Sequence, residues 1–561
     1  MKIILSLFLI LSLFTNAQNN YPQDYFSDPL EIPVILSGTF AELRSNHFHS
    51  GLDIKTQGRT GLKVKASANG FVSRIKVSHF GYGKALYITH PNGYTTVYAH
   101  LQKFAPEIEA YVKKHQYKEE SYEVEIFPTA ETLPVLKDSI VGYSGNSGGS
   151  GGPHLHFEIR DKEEHPLNPM LFGINVKDST YPIVSSIYAY PLDKNSVVNK
   201  SNSKQKLRLI PLKNGDYTVE SIEAIGQIGF GIETVDRQDL AANSNGVYNI
   251  QTFVNGNRNF EIDFKQFSFD ETKHINQLID YEHYTTKRER IQKLFKKNSP
   301  LSLYKEEIND GFLTIEDSTY SVYKIRIADY KNNESWVTIN IKGEKTNVLN
   351  PKKEKTTPYL IKANQTTNLK EGSVSVNFYK DTFYEDFYID FEVKNDTLKL
   401  HEDVIPTMKN FTINYDVSKY LNEDKNKLYI ARLVGYKNYP VYTYTKRKEN
   451  TLTASTKTLG TYALTFDTIS PTILPINFKN EQWLSKYRYL KVKIDDEGSG
   501  ISNYRATVNG KWVLMEYDYK TKTLTYDFND GIITDTKNNL KVIVTDNVGN
   551  NSTFEALFYR K

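Results

Sequence analysis

Apolar and polar residues alternate with a period of two in three short segments near the N-terminus, and histidines occupy the polar positions. Side chains two or four residues apart on a strand lie on the same face. The pattern therefore predicts strands that are apolar on one face and carry imidazole groups on the other, as the floor of a groove would require. The predicted groove-side sets are His49 with Gly51 and Asp53, Tyr98 with His100, and His154 with His156 and Glu158.

From Tyr181 onward, the pattern changes to repeated strands separated by turn signals. Two stretches share the same plan: a bend, a strand that ends at Asn-Gly, and a final strand that ends in an Asp-led turn. The Asn-Gly pairs are Asn255-Gly256 and Asn509-Gly510. We interpret both stretches as immunoglobulin-like β-sandwiches, at 177–345 and 466–561. Between them we place a linker and a strand-rich β domain at 346–465.

Two segments depart from this mainly β pattern. Within the first domain, placed at 18–176, the segment 106–134 has the features of an insertion, and helical spacing from Glu107 to Tyr117 predicts a helix. Its ends lie next to His100 and to a glycine-rich loop, so the helix is expected near the rim of the groove. A helical excursion rich in Lys, Arg and Glu is predicted at 270–297 in the first sandwich.

Composition limits the function classes. The 561 residues predict several domains, and the 40 Tyr and 29 Phe favour β-structure. The net charge of +4 is small against 70 basic and 66 acidic residues, and no basic run predicts a nucleic-acid partner. The chain has no Cys, so we expect each domain to be stabilised by its own core, without disulfides.

The first 17 residues have the features of an export signal. Lys2 precedes an apolar run from Ile3 to Phe14, and small or polar residues follow to Ala17. The apolar run falls short of the roughly 20 residues that span a membrane. We therefore expect cleavage near Ala17 and no membrane span afterwards. The mature protein would lie in the periplasm or cell envelope, or be secreted.

Nine of the 12 histidines precede residue 166. Zinc hydrolases hold the metal with three protein ligands and leave a fourth place for water. His49, Asp53 and His156 could supply two imidazoles and a carboxylate. His100 and His154 would then orient or deprotonate the water and stabilise the tetrahedral oxyanion.

The segment from Gly38 to about Phe172 resembles the lysostaphin/LytM-type zinc metallopeptidases. Three motifs carry the resemblance: His-x-x-x-Asp at 49–53, Tyr-x-His at 98–100, and His-x-His at 154–156 after a glycine-rich loop that starts at Gly145. The resemblance implies an antiparallel-sheet lysostaphin-like fold with one zinc ion per chain. It also implies that the enzyme cleaves peptidoglycan peptides. It implies that His49, Asp53 and His156 are the metal ligands and that His100 and His154 are catalytic. His47 and Tyr98 are weaker candidates for substrate contact.

Two other functions are left open by the sequence. The domain could be a non-catalytic, groove-bearing regulator of other cell-wall hydrolases, or part of a surface adhesin. All five metal-site and catalytic positions are intact, which favours an enzyme over the regulator. The modules after Tyr181 have no such constellation, so we expect them to affect targeting or stability more than bond cleavage. The sequence gives neither the bond that is cleaved nor the oligomeric state.

Overall fold

The computed structural model describes residues 21–349, 351 and 355–561. The predicted export signal at 1–17 therefore lies outside the described residues. The described chain is mainly β, as predicted, and folds into an N-terminal module followed by three strand-rich modules. Across the described ranges, no helix is both long and apolar enough to span a membrane.

The N-terminal module (residues 21–176) is built around one large antiparallel sheet, with a smaller three-stranded sheet beside it. Its elements are β1 (Leu36–Gly38), β2 (Leu52–Lys55), β3 (Lys63–Lys65), β4 (Gly70–Val77), β5 (Lys84–Thr89), β6 (Thr95–Ala99), β7 (Lys103–Phe104), α1 (Pro106–Glu119), β8 (Val124–Ile126), β9 (Pro134–Val135), β10 (Ile140–Tyr143), β11 (His154–Arg160), β12 (Pro166–Leu167) and a 3-10 helix (Pro169–Phe172). The large sheet has the order β1-β2-β11-β6-β5-β4-β8, and the small sheet has the order β3-β10-β7.

Strand β11 is central because it pairs with both strands that flank the histidine groove. Its residues Leu155, Phe157 and Ile159 are fully buried on the core side. Each buried side chain of this kind stabilises the fold by about 1.5–3 kcal/mol. Because alternate residues face opposite ways, this burial fixes His156 on the groove side.

Helix α1 confirms the helix predicted within the insertion. Pro106 occupies its first turn, where the missing N–H is not needed, and Glu120 ends it in a left-handed conformation. Ile108 and Val112 pack into the core.

The first sandwich (residues 181–343) contains a long strand, β18, that takes part in both of its sheets. Its elements are β13 (Ile183–Pro191), β14 (Val197–Val198), β15 (Gln205–Leu207), β16 (Leu209–Pro211), β17 (Tyr217–Val219), β18 (Ile222–Val235), β19 (Asn249–Val254), β20 (Asn257–Asp263), a 3-10 helix (Phe269–His274), α2 (Ile275–Leu278), α3 (Tyr281–Lys287), β21 (Gln292–Lys293), β22 (Tyr304–Glu307), a 3-10 helix (Ile308–Gly311), β23 (Leu313–Ile315), β24 (Tyr320–Ala328) and β25 (Glu334–Gly343).

The helical excursion is shorter than the predicted span 270–297. The helical part ends at Lys287, and Gln292–Lys293 is already a strand that pairs with β18. Charge composition alone could not show this, because the return to the sheet depends on the buried Ile291 and Leu294.

The middle module (residues 359–466) has two five-stranded sheets and a two-stranded pair around a core of its own. Its elements are β26 (Tyr359–Ile361), β27 (Thr367–Glu371), β28 (Val374–Phe378), β29 (Phe387–Ile389), β30 (Phe391–Lys394), β31 (Thr397–Leu400), β32 (Phe411–Asp416), α4 (Asn422–Lys425), β33 (Leu428–Val434), β34 (Tyr439–Tyr442), β35 (Thr445–Lys448), β36 (Thr451–Thr456) and β37 (Gly460–Phe466).

The last sandwich (residues 472–559) has a four-stranded and a five-stranded sheet around a separate core. Its elements are β38 (Thr472–Pro475), β39 (Gln482–Trp483), β40 (Tyr489–Asp495), β41 (Ile501–Val508), β42 (Lys511–Trp512), β43 (Met515–Asp518), β44 (Thr523–Asp527), a 3-10 helix (Phe528–Asp530), β45 (Lys537–Asp546) and β46 (Asn551–Tyr559).

Both Asn-Gly pairs form the hairpin turns that the sequence predicts. Asn255 and Gly256 join β19 to β20, and Asn509 and Gly510 join β41 to β42. All four residues have positive φ, as the common two-residue hairpin turn requires. The immunoglobulin-like strand order and the predicted domain boundaries stay predictions.

Packing and hydrogen bonds connect the N-terminal module to both sandwiches and the first sandwich to the middle module. The N-terminal module and the first sandwich share one continuous hydrophobic core. The first sandwich contacts the middle module, where Tyr281 Oη donates to Asp403 at 3.1 Å. The last sandwich returns to the N-terminal module, where Asp530 binds both Lys113 and Tyr117 of α1. Helix α1 is therefore a docking surface for the last sandwich.

Candidate metal centre

Three predicted ligands converge at one point of the groove. His49 Nε2 lies 3.0 Å from Asp53 Oδ1 and 3.0 Å from His156 Nδ1, and His156 Nδ1 lies 2.9 Å from Asp53 Oδ1. The three side chains are nearly buried. Asp53 on β2 stands directly opposite His156 on β11, which places both on the same face of the sheet.

The hydrogen bonds of the two imidazoles fix which nitrogen faces this point. His49 Nδ1 lies 2.7 Å from the Thr39 carbonyl oxygen, and His156 Nε2 lies 2.7 Å from Glu158 Oε1. Because these acceptors carry no proton, each ring donates its N–H there. His49 Nε2 and His156 Nδ1 are the remaining ring nitrogens, and both face the point where the three groups converge, as metal ligands need.

Gly51 lets the ligand-bearing segments approach closely. A Cβ atom at Gly51 would lie 2.3 Å from the backbone oxygen of Phe157. A larger residue between His49 and Asp53 would therefore push β2 away from β11.

The two remaining site histidines lie side by side next to the three convergent groups. The ring centroids of His100 and His154 are 4.8 Å apart. His100 Nδ1 donates to the Ser147 backbone oxygen at 2.9 Å, and His154 Nδ1 donates to that of Gly152 at 2.9 Å. In both rings, Nε2 is therefore the nitrogen that does not bind a backbone carbonyl. His154 Nε2 lies 3.3 Å from Asp53 Oδ1.

Burial and neighbouring charge separate the protonation states of these groups. Burial alone would raise the pKa of the Asp53 carboxyl, but His49 and hydrogen bonds from His154 and His156 hold it well below its ordinary value. Burial, together with His156 and His154, lowers the pKa of His100 to about 3. At neutral pH the site therefore holds a charged carboxylate beside a neutral His100 imidazole.

A buried polar cluster behind His156 was not predicted as functional. Glu158 is fully buried and accepts from Arg160 Nε and Ser50 Oγ, each at 2.6 Å, and from Tyr82. Burial alone would raise the pKa of Glu158, but Arg160 and His156 hold it well below its ordinary value. The charged Glu158 fixes the orientation of His156. The alternation of polar with apolar residues from His154 to Arg160 in the sequence could have indicated this cluster.

The prediction of substrate contact is wrong for Tyr98. Its side chain is fully buried in the core, where its hydroxyl accepts from the Ser67 N–H at 2.8 Å. The prediction extended the strand period to His100, whereas β6 ends at Ala99 and His100 has a φ of 58°. That turn brings His100 into the groove while Tyr98 faces the core. His47 is exposed, and its contact with substrate stays a prediction.

The first sandwich supports the segment that carries His49. Thr39, whose carbonyl orients His49, exchanges two hydrogen bonds of 3.1 and 3.0 Å with the backbone of Gly246. Phe48 packs on Phe267 with a centroid distance of 5.4 Å, and its N–H donates to Thr272 Oγ1 at 2.8 Å.

The last sandwich supports the glycine-rich loop that carries the partner of His100. Lys520 Nζ donates to the backbone oxygen of Asn146 at 2.5 Å, and Tyr519 Oη donates to that of Gly148 at 3.3 Å. Asn146 and Gly148 flank Ser147, whose backbone oxygen accepts a hydrogen bond from His100. A cleft of about 710 Å³ runs between this loop, α1 and the last sandwich.

Comparison with known proteins places this geometry in context. Residues 47–117 match the model of peptidase family M23, and residues 358–467 match the model of a Zu5-like domain. The DD-carboxypeptidase/endopeptidase Mpg of Neisseria meningitidis serogroup B is 30% identical over 138 residues, which are 25% of this chain and 26% of that protein. An uncharacterized metalloprotease of Haemophilus influenzae is 32% identical over 127 residues, 22% of each protein. The chain thus covers about a quarter of the length of these curated relatives.

Among solved structures, the catalytic domain of lysostaphin from Staphylococcus simulans is 23% identical. The match covers 28% of this chain and 95% of that domain, with a TM-score of 0.18. The family match and the curated relatives confirm the resemblance that the three sequence motifs predicted.

Proposed function

We propose that this chain is an exported zinc metalloendopeptidase that hydrolyses peptide bonds of peptidoglycan, because residues 47–117 match the model of peptidase family M23. The observation that carries the proposal is the convergence of His49 Nε2, Asp53 Oδ1 and His156 Nδ1 within about 3 Å of one another. We propose these three groups as the zinc ligands and His100 and His154 as the catalytic residues.

The donor set fits zinc on two counts. Two neutral imidazoles and one carboxylate form one of the three-ligand sets that catalytic zinc sites use. Each imidazole also donates its second N–H to an acceptor, His49 to Thr39 and His156 to Glu158, which holds the ring ready for a metal. When bound, Zn²⁺ acidifies a water molecule and polarises the substrate carbonyl.

His100 and His154 move protons at their Nε2 atoms. Each ring is held by an Nδ1–H bond to a backbone carbonyl, so Nε2 is the atom that accepts a proton from water and returns it to the leaving amine. The ring centroids are only 4.8 Å apart, and two positive charges so close repel. We therefore propose that only one of the two rings takes up the proton. The other ring stays neutral and forms a hydrogen bond.

Two further features support the peptidoglycan substrate and the export of the chain. The relative named above is a DD-carboxypeptidase/endopeptidase, and the first 17 residues have the pattern of an export signal. Peptidoglycan lies outside the cytoplasm, so these two features agree with each other.

Alanine variants of His100 and His154 test the division of roles. We expect both variants to retain zinc because neither residue is a proposed ligand. Hydrolysis of purified cross-linked muropeptides, followed by mass spectrometry, should slow by about 10²- to 10⁴-fold, as for the loss of an acid–base group. His90→Ala is a matched control, because His90 is buried just after the end of β5 but binds Asn69 and Thr96 outside the site.

Two results would count against the proposal. Loss of zinc in His154→Ala as complete as in His49→Ala would make His154 a ligand. A zinc-loaded wild-type chain that cleaves no muropeptide would favour a non-catalytic regulator.

A further inference from the structure

A second group of carboxylates lies where the chain passes from the N-terminal module into the first sandwich. Asp178, Asp236 and Asp329 each direct one oxygen to a common point, and these oxygens lie within 4.8 Å of one another. Asp178 directly follows the N-terminal module, Asp236 follows β18, and Asp329 follows β24.

One carboxylate oxygen of Asp236 lacks a partner although the residue is buried. Asp236 is 3% exposed, and its Oδ1 atom has no hydrogen-bond partner among the described residues. A buried carboxylate oxygen without a partner is destabilising, and burial together with the charges of Asp178 and Asp329 raises the pKa of Asp236 to about 8. A cation at the common point would satisfy Oδ1 and offset the repulsion between these charges.

Asn245 adds a fourth oxygen on the same side. Asp236 and Asn245 form an antiparallel bridge, and residues directly opposite in such a pair project to the same face. Asn245 is 2% exposed, and neither the oxygen nor the nitrogen of its amide group has a described partner.

The space beside these groups suits a single ion. A cavity of about 20 Å³, lined by Asp178, Asp236 and backbone near Gly246, lies at the junction of the two modules, and a volume near 10–15 Å³ already accommodates one water-sized particle. Lys331 also borders the cavity but is exposed, so its ammonium group can stay in solvent.

The last sandwich repeats the arrangement, which argues that it is a built feature of the fold. Asp467, Asp496 and Asp546 also place oxygens within 4.8 Å of one another. In both clusters an asparagine four residues after the third Asp donates its Nδ2–H to that Asp and to the backbone oxygen of the first. These asparagines are Asn333, with bonds of 2.7 and 3.3 Å, and Asn550, with bonds of 2.6 and 3.0 Å.

We propose that Asp178, Asp236 and Asp329 bind a calcium ion that ties the first sandwich to the end of the N-terminal module. Carboxylate and amide oxygens are hard ligands that favour Ca²⁺ or Mg²⁺ over zinc. Oxygens that lie within 4.8 Å of one another can share one Ca²⁺ ion at about 2.4 Å each. Mg²⁺ usually keeps several waters, for which a cavity of about 20 Å³ has no room.

Equilibrium dialysis of the full-length protein against ⁴⁵Ca²⁺, with saturating Zn²⁺ present, tests this site. We expect Asp236→Asn to bind one Ca²⁺ fewer per chain than wild type. The matched control is Asp239→Asn, which makes the same charge change three residues away, at a carboxylate that accepts from Ser179 instead, and it should keep the wild-type number. A tenfold excess of Mg²⁺ should leave the bound calcium in place.

Thermal unfolding gives a second test, because calcium should raise the melting temperature of the wild type but not that of the variant. In chelator, Asp236→Asn should melt no lower than wild type, because it removes a buried carboxyl group whose ionisation burial, Asp178 and Asp329 all oppose. At a calcium concentration about 100 times Kd, wild type should gain roughly 5 °C and the variant should not.

Three results would overturn the proposal. They are a wild-type chain that binds no calcium at millimolar concentration, an Asp236→Asn chain that binds as much as wild type, and displacement of the calcium by Mg²⁺. If Asp236→Asn fails to fold, Asp329→Asn makes the same comparison.

Discussion

Replacing His156 by Ala is expected to abolish both zinc binding and peptide hydrolysis. The substitution removes one of three proposed ligands and leaves Glu158 buried without its imidazole partner. Loss of an outer hydrogen-bond partner alone weakens metal binding by about 10- to 100-fold, so loss of the ligand itself should exceed that range. The zinc content measured by elemental analysis after dialysis should fall from about one zinc per chain to background. Muropeptide cleavage should be lost as well.

Two variants separate this effect from general damage to the sheet. Glu158→Gln keeps an acceptor for His156 but removes the charge, so we expect zinc affinity to fall by about 10- to 100-fold without complete loss. His90→Ala removes a buried imidazole away from the groove and should keep its zinc. If His156→Ala retained one zinc per chain, the proposed ligand set would be wrong.

The spacing of the ligands could be predicted because the sheet is regular where they lie. Asp53 and His156 stand opposite each other on β2 and β11, and the period of two on those strands is enough to place both in the groove. The same rule failed for Tyr98 because His100 lies past the end of β6, in a left-handed conformation. A period-two argument holds only while the strand continues.

The part played by the other modules could not be predicted from local patterns. Thr39 and Gly246 are 207 residues apart, and Gly148 and Tyr519 are 371 residues apart. No local pattern in the sequence records such a pair, because periodicity and turn signals describe only neighbouring residues. The expectation that these modules affect targeting or stability more than bond cleavage therefore rested on their lack of catalytic residues.

The two sandwiches contact opposite sides of the groove. The first sandwich holds Thr39, which orients the proposed ligand His49. The last sandwich holds the backbone on both sides of Ser147, which orients the proposed catalytic His100. We infer that the two sandwiches position the site.

This inference predicts that a chain of residues 18–176 binds zinc at least about 10-fold more weakly than the full-length protein, because the hold on His49 through Thr39 is lost. The truncation also removes Phe267, which packs against both Phe40 and Phe48, so its melting temperature should fall. A chain of residues 18–345 keeps these contacts and should bind zinc nearly as tightly as the full-length protein. Zinc titration of the three chains measures the effect.

A single substitution in the full-length chain tests the same support without truncation. Phe267 is 1% exposed, and Phe267→Ala should destabilise the protein by about 3–5 kcal/mol, as for other buried aromatic residues. It should also weaken zinc binding, because Phe48 precedes His49. Phe253→Ala is the matched control, since Phe253 packs on Trp336 at 5.6 Å within the same sandwich and should leave zinc affinity unchanged. If the chain of residues 18–176 folds and binds zinc as tightly as the full-length protein, the sandwiches do not position the metal site.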